Sequence, residues 1–358
     1  MASTPVDPIR PIPRGMPMRF RPLLVLLLLI SVAASADDLA GRRLLFVSGE
    51  ADGAATLMIL DLAQPLLPRP LASMCDEDGA PLTASQATLS PEADAVAFRY
   101  GAPGGSGRIH LLDPSVPGEL RPFGNHEADA DEGMPDWSPD GSMLALISDR
   151  GGTVDLYVVD ALEGELSRRL TNDDARESDP AWHPDAVGLA YVGDADGDEE
   201  IYLTDALGGA PRQLTHNTWA DLDPVWHPDG RRLALVTTVP GEKLVPASPS
   251  APDSGGAKAA FGPESPYVDI ETAPATVVVE NRDIVMLDTV DGSLEFVVSS
   301  PGSDIQPAFS ADGRYLAFAS DRSGDYELYV YDLETGFLKQ VTFNSAADDL
   351  NPLWLEER

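Results

Sequence analysis

MPDWSPDG at residues 134–141 returns as DPAWHPDA at 179–186, DPVWHPDG at 223–230 and QPAFSADG at 306–313. A fainter copy, ATLSPEAD, stands at 87–94, and a truncated one, NPLWLEE, at 351–357. A period near 45 residues with strand-like runs between the turns signals stacked β-sheet units, most often a propeller. A residue that recurs in every such unit serves architecture first. Chemistry normally requires residues that break the repeat.

One unit shows how a blade is built. Pro135–Trp137 reads as a short strand with Trp137 as its core anchor, and Ser138-Pro139-Asp140-Gly141 reads as a turn. Met143–Ser148 alternates as a second strand, Leu156–Asp160 forms a third and Ser167–Thr171 a fourth. Gly, Pro and Asp sit where the backbone turns, with β-branched and aromatic residues between. The same sentence recurs at 180–215 and 307–342. Such units cannot bury both faces alone, so they stack around an axis.

The anchors Leu89, Trp137, Trp182, Trp226, Phe309 and Trp354 number six, and the fold expected is an all-β, six-bladed propeller of four-stranded blades. Nothing strand-like follows Trp354, but Leu44–Ser48 matches Leu316–Ser320 and Leu57–Leu62 matches Leu328–Leu333. The last blade is therefore expected to combine both chain ends, with the C-terminal strand innermost. That closure removes free edges. The long spacing between Trp226 and Phe309 holds an insertion at about 239–281, rich in Pro, Ala, Ser and Gly. It reads as a mobile loop, with a short extra strand at Thr276–Val279 and a role as a binding loop open to it.

The phrase D-x-P-x-W-S-P-D-G, then L-A-x-x-S-D-R-x-G, L-Y-V-x-D and R-x-L-T resembles the WD40-like (PD40) repeat of the TolB propellers. Asp149-Arg150 and Asp321-Arg322 carry the S-D-R element, and Thr171, Thr215 and Thr342 the closing threonine. The resemblance covers nearly all of 43–355. It implies a six-bladed, periplasmic, non-enzymatic propeller. By analogy the partner is a peptidoglycan-associated lipoprotein, as for TolB itself. The TolB N-terminal domain that contacts TolA has no counterpart in this reading. Propellers of this repeat also accompany peptidases, but no G-x-S-x-G elbow is present and no hydrolase domain is expected.

Residues 1–36 read as a secretory signal peptide. Arg10, Arg14, Arg19 and Arg21 precede the apolar run Leu23–Val32, and Ala34-Ser35-Ala36 offers a cleavage site. The run is shorter than the roughly 20 apolar residues that span a bilayer. The mature propeller, 37–358, is expected to be periplasmic or secreted, monomeric and without a membrane span. Removing four Arg and Asp7 takes the formal charge from −35 to −38. That charge argues against nucleic acid as a partner, since phosphate binding needs clustered Lys and Arg. It suits a cationic partner or divalent ions. Cys75 is alone, so no internal disulfide is available.

The links between blades and the second hairpin loops share one face of the expected propeller, and both are acidic. Three residues before the strand Pro stand Glu132, Glu177, Asp221, Asp304 and Asp349, expected to ring one mouth of the channel. One reading is that each accepts backbone N–H bonds or pairs with an Arg. The other is a funnel for a cation or basic peptide. Asp194, Asp196, Asp198 and Glu200 resemble half of a calcium loop, but the Gly is misplaced and the bidentate Glu is missing. An acidic hairpin with a weak site for calcium or another divalent cation is expected, and no other cofactor. His183 and His227 hold equivalent slots where other units carry Ser, and His126 and His216 form no metal-ligand spacing. Two function classes remain. One is an exported scaffold that binds an envelope protein or peptide through its acidic face. The other is a channel-sited enzyme, a metal-assisted lyase or hydrolase acting on a glycan or small ester.

Overall fold

The computed structural model describes residues 39–50, 55–65, 67–73, 83–102, 105–116, 119–124, 130–244, 276–344 and 347–355. The signal-peptide reading, Cys75 and His126 lie outside them. The described residues form six four-stranded antiparallel sheets. Their innermost strands are Thr83–Leu89, Glu132–Trp137, Glu177–Trp182, Asp221–Trp226, Asp304–Phe309 and Ala347–Trp354, which define blades 1 to 6. Each touches the innermost strand of the next blade, and the sixth touches the first, so the ring is closed.

Blade 6 is shared by both chain ends, as expected. Ala347–Trp354 pairs antiparallel with Arg43–Glu50, with Leu44 opposite Trp354 and Ser48 opposite Asp349. Blade 4 carries the insertion differently from the sequence reading. Arg232–Leu244 pairs with Thr276–Asp288 through to Leu244 opposite Thr276. Thr276–Val279 therefore opens the third strand of the blade and is not a separate element. Residues 245–275, where mobility was expected, lie outside the described residues.

The core sits between blades, because a sheet with two apolar faces needs a neighbour on each. Phe46 and Leu44 of blade 6 pack with Leu316 and Phe318 of blade 5 and with Trp354. Ala145 and Leu156 of blade 2 pack with Trp182 and Leu189 of blade 3. Trp226 Nε1 donates to the Ala181 carbonyl at 3.2 Å, and Trp354 Nε1 to Ala308 at 2.9 Å. These two anchors thus reach back one blade, satisfying the polar edge as they bury their rings, whereas the buried Nε1 atoms of Trp137 and Trp182 have no partner among the described residues.

The turns after the innermost strands follow their sequence. Ser138 Oγ accepts the Met143 N–H at 2.9 Å and donates to Asp140 Oδ1 at 2.7 Å. Gly141 takes φ +71°, where a side chain would be strained. Where His replaces Ser, the ring does two jobs. His183 Nδ1 accepts the Asp185 N–H at 3.1 Å, which leaves Nε2 as the donor to the Gly230 carbonyl of the next blade at 2.8 Å. His227 repeats this with Asp229 and Gly313.

Candidate functional site: the central channel

Every innermost strand carries a bulge two to three residues ahead of its anchor. The register shifts between Ser85 and Thr88, Gly133 and Asp136, Ser178 and Ala181, Leu222 and Val225, and Ile305 and Ala308. In blade 6 the shift appears opposite Leu45–Val47. At each bulge one residue adopts a left-handed φ: Gln86, Met134, Asp179, Asp223, Gln306 and Asn351, all between 47° and 54°. In five of the six the next residue is a buried Pro. A bulge leaves a ladder position unpaired, so a residue without N–H fits there at no cost in hydrogen bonds. The recurring Pro is explained by this geometry.

The six left-handed residues line one cavity of about 820 Å³ in the channel. It extends past the anchors to the turn residues Pro91, Pro139, Pro184, Pro228 and Ala311. Side chains and backbone link four of the six neighbouring pairs around the ring. Met134 N–H donates to Gln86 Oε1 at 3.0 Å, and Asp179 N–H to Met134 Sδ at 3.1 Å. Gln306 N–H donates to Asp223 Oδ2 at 3.0 Å, and Asn351 N–H to Gln306 Oε1 at 2.9 Å. Between Asp179 and Asp223 no such bond is present among the described residues. There the ring holds two carboxylates from adjacent blades, each partly open to the cavity.

Their environments are unequal. Burial holds Asp179 above the usual carboxylate range, and the charge of Asp223 pushes it further. Burial also raises Asp223, but the Gln306 N–H and the positive Arg282 oppose it. Both carboxylates thus lie above the usual range, and the negative charge has more support at Asp223 than at Asp179. A third channel carboxylate, Asp136, is tied down. It accepts the Trp182 N–H at 2.7 Å and the Thr88 hydroxyl at 3.2 Å, joining three blades, and burial raises it to about 7.

The five acids expected at the mouth begin or nearly begin five innermost strands, and all are buried, 3% exposed or less. Glu132 pairs with Arg150, and Asp304 with Arg322 at 2.5 Å. Glu177 accepts the Thr171 hydroxyl at 2.9 Å, Asp221 the Asn217 amide at 2.7 Å and Asp349 the Ser48 hydroxyl at 2.7 Å. Glu132, Asp304 and Asp349 are thus held by partners in their own blades, and Glu177 by a residue at the end of the preceding blade. Burial raises Glu177 to about 7, and it raises Asp221 and Asp349. Glu132 and Glu177 share a link-face cleft of about 520 Å³ with Asp131, Asp149, Asp194 and Glu199. Asp149, Asp194 and Asp321 each accept a link N–H at 2.7 to 2.8 Å.

Of the four hairpin acids, Asp196, Asp198 and Glu200 come together, with one carboxylate oxygen each inside 4.8 Å of the others. Asp194 is engaged by the Arg176 N–H and stands apart. Asp179 and Asp223 were visible in sequence only as link acids. The signal that marks them is their shared place before Pro, in a column that elsewhere reads Gln86, Met134, Gln306 and Asn351.

Residues 87–252 match the PD40 family model, described as the TolB beta propeller domain. The matched repeats resemble that domain over less than half of the chain. Among solved structures, TolB from Acinetobacter baumannii superposes with a TM-score of 0.63 at 19% identity, covering 88% of this chain and 66% of that one. The chain thus spans about two thirds of that protein's length. A structure assigned to TolB from Agrobacterium tumefaciens gives 0.58 at 16%, covering 87% and 92%. An oligogalacturonate lyase in complex with manganese gives 0.52 at 17%, covering 84% and 74%. At these identities the likeness is one of fold. No curated protein matches. Among the described residues no helix is long and apolar enough to cross a membrane.

Proposed function

We propose that this TolB-like propeller is an exported scaffold that binds a cationic segment of an envelope protein or peptide in its channel. The observation that carries this reading is the Asp179–Asp223 pair. In a ring whose other members are uncharged, two adjacent blades turn carboxylates toward one cavity. A lysine or arginine from a partner would displace the proton held at Asp179 and pair with both carboxylates. The Pro-lined walls around that charge suit the apolar remainder of a peptide. The net charge of −35 favours encounter with a basic partner. Export rests on the signal-peptide pattern of residues 1–36, and an envelope partner on the TolB likeness.

The test is affinity capture from envelope extracts by the exported protein and by the Asp179→Asn/Asp223→Asn variant. The scaffold reading expects a partner held by the first and lost by the second. Equal capture by both moves the site away from the channel.

The unequal pair supports a second reading as well. A protonated Asp179 beside an ionised Asp223 is the arrangement that general acid–base chemistry uses. A glycan or ester turned over by the parent protein, but not by the double variant, would favour an enzyme.

A further inference from the structure

Asp196, Asp198 and Glu200 lie outside the channel, on the second hairpin of blade 3. Glu200 opens the third strand of that blade and is fully buried. Neither of its carboxylate oxygens has a hydrogen-bond partner. Thr215 and the Asn217 N–H face it, yet neither completes a bond. A buried carboxylate left this way carries a large desolvation cost with nothing to offset it.

The neighbouring blade shows what fills the same place. Asp155 in blade 2 and Glu200 in blade 3 both pair with the last residue of the second strand, Ser148 and Gly193. Arg169 and Gln213 are likewise equivalent, since they pair with Tyr157 and Tyr202. In blade 2 the Arg169 guanidinium donates to Asp155 Oδ2 at 2.6 Å and to Thr153 Oγ1 at 3.2 Å. It also packs over Gly151, where an added Cβ would meet Arg169 Nη1 at 2.7 Å. Gly151, Thr153 and Asp155 correspond to Asp196, Asp198 and Glu200. A positive group therefore sits among these three positions in blade 2. Blade 3 has three carboxylates around them and a neutral Gln213 in place of the arginine, with Gln213 Nε2 donating to Asp196 Oδ2 at 2.5 Å. Blade 5 resolves the problem by another route, because Glu327 accepts the Thr342 hydroxyl at 2.6 Å.

We propose that Asp196, Asp198 and Glu200 bind one hard divalent cation, of which calcium is the type, where blade 2 holds the Arg169 guanidinium. All the donors are carboxylate oxygens, with no imidazole or thiolate among them, which selects calcium over zinc. The three oxygens already lie within the spacing one ion can span. Asp196 is exposed and Asp198 half-buried, so the outer side is open to water ligands. The ion would neutralise Glu200 and pin the hairpin to the blade.

The experiment uses the full chain, stripped of metal and kept in about 0.15 M salt to screen its general acidity. Terbium is titrated in, and emission sensitised by Tyr202, whose hydroxyl lies 3.4 Å from Asp196 Oδ1, is followed. Calcium is then added as competitor, and its stoichiometry is measured by calorimetry. The expected result is one saturable site, displaced by calcium, and weakened at least about tenfold in Asp198→Asn. Gln213→Arg installs the cation of blade 2, so it is expected to abolish terbium emission and raise the melting temperature of the metal-free protein. Binding that is unchanged in both variants, or no saturable site in the parent, overturns the proposal. If Gln213→Arg does not fold, the half-buried Asp198→Asn decides alone.

Discussion

The Gln306 backbone N–H donates to Asp223 Oδ2 at 3.0 Å, across the seam between blades 4 and 5. Among the described residues, Asp179 has only the hydroxyl of its own neighbour Ser178 as donor, at 2.8 Å. This difference favours Asp179 over Asp223 as the carrier of a proton. The folded protein then holds a proton that the unfolded chain releases near its ordinary pKa of about 4. Stability therefore falls as pH rises above that value. Asp179→Asn removes the effect. It is expected to raise the unfolding free energy from urea titration at pH 8 by on the order of 1 kcal/mol or more, and to change it little near pH 4. Equal gains at both values would contradict the assignment.

Arg150 and Arg322 offset carboxylates that are almost wholly inside the protein. Glu132 is 3% exposed and Asp304 is 0%, and each relies on its own blade's arginine. Removing one partner leaves a buried charge, at a cost of about 3 kcal/mol. Arg322→Ala is expected to lose that much in denaturant titration at pH 7. An equal loss in Arg322→Lys, which keeps the positive charge, would assign the effect to packing over Phe318 and Tyr329 instead.

Ala195 stands where Arg150 stands one blade earlier, and Glu177 has no arginine in consequence. Burial, the largest cause, pushes Glu177 up to about 7, with Asp173 and Asp155 adding to the effect. The folded pKa exceeds the unfolded one, so the destabilisation begins near pH 4 and is complete above pH 7. Ala195→Arg is expected to return Glu177 toward its ordinary range and stabilise the protein above pH 7. Carboxyl titration by NMR gives the direct readout, and an unmoved Glu177 would show that the arginine does not reach it.

Trp354 closes the ring. It is 8% exposed, opposes Leu44 and donates to Ala308. Trp354→Ala is expected to cost about 3 to 5 kcal/mol. Deleting 347–358 leaves Arg43–Glu50 as an open edge, and association into higher oligomers is the expected outcome in sizing chromatography. A truncated protein that stays monomeric with an unchanged melting temperature would contradict this closure.

The blade count, the four-stranded units and the shared last blade were legible because turn chemistry repeats with the period of the fold. The sentence Ser138-Pro139-Asp140-Gly141 fixes a turn through its own hydrogen bonds, so it marks the same place each time. The channel ring was not legible. Met134 and Gln306 look like ordinary strand residues, and only the bulge gives them a left-handed φ. The acids before them were read as facing the mouth, because spacing gives their height along the strand but not the direction of the side chain. Both acids are buried, with Glu177 turned to the Thr171 hydroxyl and Glu132 to the Arg150 guanidinium. Likewise, the hairpin acids were seen as a run, but their contrast with Arg169 needed the cross-strand register.

The central claim is that a cationic partner enters the channel and meets Asp179 and Asp223. A photo-reactive residue at Pro139, on the channel cavity, and another at the exposed Glu163, on the rim, would be irradiated in envelope extracts. The account predicts a cross-linked partner from Pro139 and none from Glu163, with the Pro139 product lost when Asp179 and Asp223 are changed to Asn. Cross-linking from Glu163 alone, or from Pro139 regardless of the two aspartates, would contradict it.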